Sequence, residues 1–172
     1  MNPIPGHHVF WTAPKHGRPH LHDFEIVTAI ASALYYRTHS GPMTLWTDEP
    51  GRQYFAKLGL LSMYDTVENL VVPRHVDPKI FWAAGKLQVY RSVQAPCTFI
   101  DLDAILYYRI RHVYGPSHPV DVVALHDEPR DWPAYQRDWQ EFPAGKWSEG
   151  RPWPDQTIKP INVGILQFLN DD

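Results

Sequence analysis

Asp101 and Asp103 lie two positions apart in the run Thr98-Phe99-Ile100-Asp101-Leu102-Asp103-Ala104-Ile105, the most apolar segment of the chain. The run reads as a buried strand from Thr98 to Ile105. On a strand, residues i and i+2 point to the same side, so the two carboxylates converge unless the strand has already turned. Like charges held that close need a cation, a shared proton or water. A divalent metal is the simple solution, because Mg²⁺ or Mn²⁺ held by carboxylates completes its shell with waters and substrate phosphates. The bland alternative has one Asp capping the following turn and the other solvated.

The elements that must position this pair follow from periodicity. His8 to Thr12 is a short apolar run ending near Pro14 and reads as the first strand. Phe24, Ile26, Val27, Ile30, Ala31 and Leu34 recur at spacings of three and four, which predicts a helix buried along that stripe. Asp23 and Glu25 suit its first turn, and Ser40-Gly41-Pro42 stops it. Met43 to Thr47 is a second strand, closed by Asp48-Glu49-Pro50-Gly51. Gln53 to Leu58 predicts a short helix with Gly59 as its C-cap. Thr66 to Val72 is a weaker strand. Pro78 to Val93 predicts a helix with Ile80, Ala84, Leu87 and Val93 along one side. Asp121 to Leu125 and Ile161 to Leu169 are further strands, the latter bulged at its Gly if glycine has its usual meaning there. Strands alternating with helices indicate a mainly parallel central sheet flanked by helices, an α/β domain of Rossmann-like type. In such sheets ligands sit beyond the carboxyl ends of the strands, where the acidic pair falls.

With this order of elements the sequence resembles the GT-A class of nucleotide-sugar glycosyltransferases, in which an apolar strand ends in an Asp-x-Asp (DxD) motif. Asp101-Leu102-Asp103 matches it in position and context. Leu45-Trp46-Thr47-Asp48, followed by Gly51 and Leu58-Gly59-Leu60, looks like the second strand and helix of bacterial glycosyltransferase-like proteins. Trp82-Ala83-Ala84-Gly85-Lys86-Leu87 resembles the lysine-bearing helix before the acidic strand, and Ile161-Asn162-Val163-Gly164-Ile165-Leu166 resembles the N-x-G strand facing the donor sugar. Together these cover nearly the whole chain, residues 1–172, as a single GT-A-like domain.

The resemblance implies a transferase moving a sugar from a nucleotide-sugar donor to a glycan or other acceptor. It implies a bound Mn²⁺ or Mg²⁺ on the donor diphosphate, held by Asp103 and by Asp101, with Asp101 also near the ribose. Lys86 would approach the donor's phosphate or sugar, and Asn162 and Gly164 would line the sugar pocket. There are departures. Many retaining members carry a metal-binding His after the N-x-G strand, whereas this sequence runs eight residues past Gly164. That leaves a minimal form, a degenerate relative or a piece lacking the acceptor-binding part, and dimerisation as a further expectation. No general base is selected among Asp127, Glu128 and Asp155. Two other functions stay open. One is a non-catalytic binding module of this type. The other is a phosphatase of haloacid-dehalogenase type, although that family's Gly and Thr after the motif are Ala104 and Ile105 here.

Bulk composition limits the alternatives. The chain has 172 residues, with 16 Lys and Arg against 19 Asp and Glu, so no strong field attracts nucleic acid. The single Cys97 forbids an internal disulfide and, following Pro96 with no matching base, reads as an inert buried thiol. No stretch is apolar enough for a transmembrane helix, and the N-terminus is not signal-like, so a cytoplasmic protein is expected. His7, His8, His16, His20 and His22 crowd the N-terminal region without zinc-like partners and read as a surface cluster. Residues 127–160, rich in proline and carrying Trp132, Trp139, Trp147 and Trp153, read as an ordered irregular excursion.

Overall fold

The computed structural model describes residues 3–17, 19–105, 122–127 and 161–169. Among the described residues six strands form one sheet: β1 (Gly6–Phe10), β2 (Met43–Thr47), β3 (Thr66–Asn69), β4 (Cys97–Ile100), β5 (Val122–Asp127) and β6 (Ile161–Phe168). Their spatial order is β3-β2-β1-β4-β6-β5. β1 pairs in parallel with β2 and β4, and β2 with β3, while β6 runs antiparallel between β4 and β5. Helices α1 (Asp23–His39), α2 (Glu49–Lys57) and α3 (Ala84–Tyr90) cover the sheet. The α/β reading and the mainly parallel sheet hold. The irregular excursion, apart from Asp127, lies outside the described residues.

Alternation along β1 builds the two cores. His8 and Phe10 face one side, where Phe10 joins Tyr36, Met43, Leu45, Phe55, Tyr64 and Ile100 beneath α1 and α2. His7, Val9 and Trp11 face the other, where Leu70, Val89, Cys97, Phe99 and Leu166 pack beneath α3. β1 is buried along nearly its whole length, so its two histidines, His7 and His8, must find partners inside the fold.

Several sequence expectations are corrected. His7 and His8 are buried, not superficial. His8 fits the core because both ring nitrogens are bonded, Nδ1 to the Tyr64 hydroxyl at 2.9 Å and Nε2 to Ser32 Oγ at 3.0 Å. Burial lowers its pKa to about 3, and the neighbouring His7 adds to the fall. The Trp46 indole N–H donates to His7 Nδ1 at 3.2 Å, and burial holds the His7 pKa at about 4. His16, His20 and His22 are exposed, as expected.

The apolar stripe of α1 is only partly its buried face: Ile26 and Ile30 pack against the larger core. Thr28, Ala29, Ser32, Ala33 and Tyr36 are buried, whereas Phe24, Val27 and Leu34 are exposed. Small residues let the helix lie close to the sheet, and the Tyr36 hydroxyl reaches the Ile4 carbonyl. Asp48-Glu49-Pro50-Gly51 closes β2 at Thr47, as expected, and also opens α2. The Asp48 side chain caps it by accepting the Gly51 N–H, and Pro50 sits in the first turn, where its missing N–H costs nothing. Gly59 ends the segment in the left-handed region (φ 71°), as its C-cap role requires. The helix expected over Pro78 to Val93 shrinks to α3, with Ile80 and Leu87 exposed and Gly85 and Val89 turned inward.

Candidate functional site

The strand order reverses at β1. From it the chain builds outward through β2 to β3, then returns to lay β4 on the opposite side. The crevice beyond the carboxyl ends of β1 and β4 is therefore the switch point where such sheets bind ligands. Residues following both strands meet there. A cleft of about 250 Å³ is lined by Trp11, Lys15, Glu25, Trp82, Lys86 and Asp103, among others.

The acidic pair sits on a turn, not on a strand. β4 ends at Ile100, and the Asp101 carbonyl accepts the Ala104 N–H at 3.0 Å. The expected convergence of two side chains on one side of a strand is thereby replaced. Asp101 turns inward, toward α3, and Asp103 stands exposed at the mouth of the cleft. The apolar residues that continue the run, Leu102 and Ala104, explain the misreading: they pack against the larger core from a turn.

Lys86 pairs with Asp101 through a short ion-pair contact between Nζ and Oδ1. Both side chains are partly buried, at 21% and 31% exposure. Burial raises the Asp101 carboxyl above its usual range. The Lys86 ammonium opposes that rise by charge and by hydrogen bonding, and Asp103 adds to it by repulsion. Tyr90, one turn after Lys86 on α3, is pushed upward as well, by burial first and then by the charge of Asp101. Its ring packs on Phe99 and Phe168, with centroids 4.4 and 5.6 Å away.

Two glycines set the geometry. A Cβ on Gly85 would lie 2.9 Å from Trp11 Cβ and 3.2 Å from two of its ring carbons, so the absent side chain lets α3 lie against the end of β1 with Lys86 beside Asp101. Gly164 lies in β6, where the β5–β6 register shifts between the pairs Ala124–Leu166 and His126–Asn162. One residue of β5 there opposes three of β6, so β6 is irregular at Val163 to Ile165, as a glycine inside a strand suggests. The Gly164 carbonyl accepts the Asp101 N–H at 2.7 Å.

The site thus brings Lys86, Asp101 and Gly164 together, with Asp103 at its edge. Asn162 is placed by its backbone on β6 opposite His126, and its side chain lies outside the described residues, as do Glu128 and Asp155.

Sequence reasoning missed Trp11, Lys15 and Trp82 as lining residues, and Asp48 as a brace. Asp48 Oδ2 accepts the Thr12 hydroxyl at 2.7 Å and the Thr12 N–H at 3.1 Å, fixing the loop after β1 to the start of α2. The available signal was the pairing of a polar residue after each of two adjacent parallel strands. Among the described residues no group of three or more His, Cys, Asp and Glu side chains is gathered as a metal cage. Asp101 and Asp103 carry oxygen donors of the type that Mg²⁺ and Mn²⁺ take, one of them engaged by Lys86. No helix among the described residues is long and apolar enough to cross a membrane. No family model matches the chain, and no curated protein matches it.

Proposed function

We propose that this is a glycosyltransferase of GT-A type that takes a nucleotide-sugar donor in the cleft beyond β1 and β4 and passes the sugar to an acceptor. The observation that carries the reading is the Lys86–Asp101 pair at the switch point, with Asp103 two residues on at the cleft mouth. A partly buried carboxylate, a lysine and an exposed carboxylate suit a ligand that brings both a diphosphate and a divalent cation. Asp101 and Asp103 would hold that cation, Mg²⁺ or Mn²⁺, which when bound stabilises negative charge on a departing diphosphate.

The chain's own residues divide the remaining work. Lys86 supplies a positive charge on the cleft wall, and Lys15 a second at its rim. Trp11 and Trp82 offer flat apolar faces on which a sugar ring or a base can stack. Gly164 holds the acidic turn by its carbonyl, and the N-x-G segment is offered as the sugar-facing wall. A second reading is a binding module without turnover. It is favoured by the same ion pair, because Lys86 already satisfies Asp101 without a metal.

The test is a thermal-shift panel of UDP-, GDP-, CMP- and dTDP-sugars, with and without Mn²⁺, on wild type and Asp103→Ala. A ligand that binds only the folded state raises its apparent stability. A metal-dependent rise for one donor, lost in Asp103→Ala, supports the site and names the donor. No rise with any donor overturns it. Measured sugar transfer or donor hydrolysis then separates an enzyme from a binding module.

A further inference from the structure

We infer that Lys86 is a resident counter-ion that a divalent cation must displace, so that lysine and metal compete for the carboxylate of Asp101. This rests on the reading above, that Asp101 and Asp103 hold a cation.

The geometry supplies the competition. Lys86 Nζ is in contact with Asp101 Oδ1, one of the two oxygens that carboxylate can offer a metal. Among the described residues Asp103 and, on α1, Glu25 are the carboxylates that line this cleft, and Asp101 meets it through Lys86, which lines it too. A metal on Asp101 and Asp103 with Lys86 in place would hold a dication and an ammonium on one carboxyl group, and their repulsion opposes binding. The pairing also has a use before any ligand arrives. Asp101 is partly buried, and an ionised carboxylate in that setting needs a partner to remain charged.

The lysine is suited to withdraw. Its ammonium sits on a flexible four-carbon stem, whereas the fork of an arginine would be held more rigidly. Lys86 also lines the cleft, so an ammonium released from Asp101 stays on the wall where an anionic ligand enters. Metal binding at the acidic turn therefore creates a free positive charge beside it, and the order of binding is metal first, anion second.

Mn²⁺ titration followed by loss of the aqueous Mn²⁺ electron-spin signal tests this on wild type, Lys86→Gln and Lys86→Arg, at about pH 8 where carboxylates are ionised. Removing one positive charge a few ångströms from the metal should tighten Mn²⁺ binding by on the order of ten-fold in Lys86→Gln. Lys86→Arg, which keeps the charge on a more rigid fork, should bind Mn²⁺ no tighter than wild type. Wild type that binds Mn²⁺ together with a Lys86→Gln that binds it no tighter overturns this inference and leaves the metal reading intact. No Mn²⁺ binding by any of the three overturns both. A second measurement on wild type avoids any folding defect of the variants: acetylation of Lys86 by acetic anhydride, followed by peptide mass mapping. Saturating Mg²⁺ should speed acetylation of Lys86 relative to Lys57 and Lys79, and an unchanged ratio overturns the inference.

Discussion

The backbone N–H of Asp101 donates to the carbonyl of Gly164 at 2.7 Å, one step beyond the Ile100–Ile165 pair that closes the β4–β6 ladder. The acidic turn is thus anchored to a strand that arrives more than fifty positions later in the sequence. With its backbone fixed there and its side chain held by Lys86, Asp101 is constrained from both ends, while Asp103 is left to solvent.

That constraint has a stability consequence. The Asp101 carboxyl titrates above its unfolded value, so the folded state favours the protonated form. The stability this group contributes is fully present below the unfolded carboxylate pKa and is lost as pH rises through the folded one. In metal-free buffer Asp101→Asn, which cannot ionise, should melt above wild type at neutral pH. The gap should close as pH falls to about 4. Melting curves across that range check it, and a gap that widens on acidification would contradict the burial argument.

Histidines 7 and 8 act in the opposite sense. Both are buried and neutral, with pKa values lowered to about 4 and about 3 from 6.5. Their contribution is present above 6.5 and is lost as pH falls below it, because the unfolded chain takes up two protons that the folded chain refuses. With both groups engaged the slope approaches roughly 2–3 kcal/mol per pH unit between pH 6 and 4. Urea unfolding at a series of pH values measures it. His8→Gln should lower the slope by about one proton's worth while costing stability at pH 7 through its lost bonds to Tyr64 and Ser32.

Gly85 is a spacing residue. Its φ is not positive, so alanine is conformationally acceptable there, yet the new methyl group would stand 2.9 Å from Trp11 Cβ. Gly85→Ala should cost about 1–3 kcal/mol, the usual range for overpacking. It should also weaken donor-induced thermal shifts, because α3 carries Lys86. Denaturant titration and the donor panel measure the two effects. A stable variant with an undiminished donor response would show that the α3–β1 approach does not set the site.

Asp48 should behave as a brace. Removing its carboxylate leaves the Thr12 N–H, the Thr12 hydroxyl and the Gly51 N–H without that acceptor. Asp48→Ala should cost about 1–2 kcal/mol from the helix cap alone, and more if the loop after β1 loosens. Glu49→Ala, whose side-chain bond is an exposed one to Gln53, should be within about 0.5 kcal/mol of wild type. Equal losses in the two variants would argue against a specific role for Asp48.

Much of the scaffold was legible because its signals are local. Strands β1, β2, β4 and β6 announce themselves as apolar runs, and Asp23 to His39 as a helix with an acidic start and a Ser-Gly-Pro stop. Periodicity misled where burial depends on partners it does not see. Phe24, Val27 and Leu34 keep helical spacing, but the close packing of α1 on the sheet selects Ala29, Ser32 and Ala33 instead. Histidines 7 and 8 look polar until Trp46, Tyr64 and Ser32 supply their bonds. At the site, the motif pointed to Asp101 and Lys86 separately, from resemblance. Their mutual contact depends on Gly85 letting α3 approach β1, a three-dimensional fact with no signature in the spacing.

The placement of β6 between β4 and β5 bears on how the protein is made. A nascent chain can assemble β1 to β4 once residues 6–100 have emerged from the ribosome, but β4 then presents an open edge beside a half-fastened acidic turn. Only when residues 161–168 are delivered does that edge close and Asp101 gain its backbone acceptor. The acidic turn therefore gains its backbone anchor by the same event that covers the exposed edge of β4.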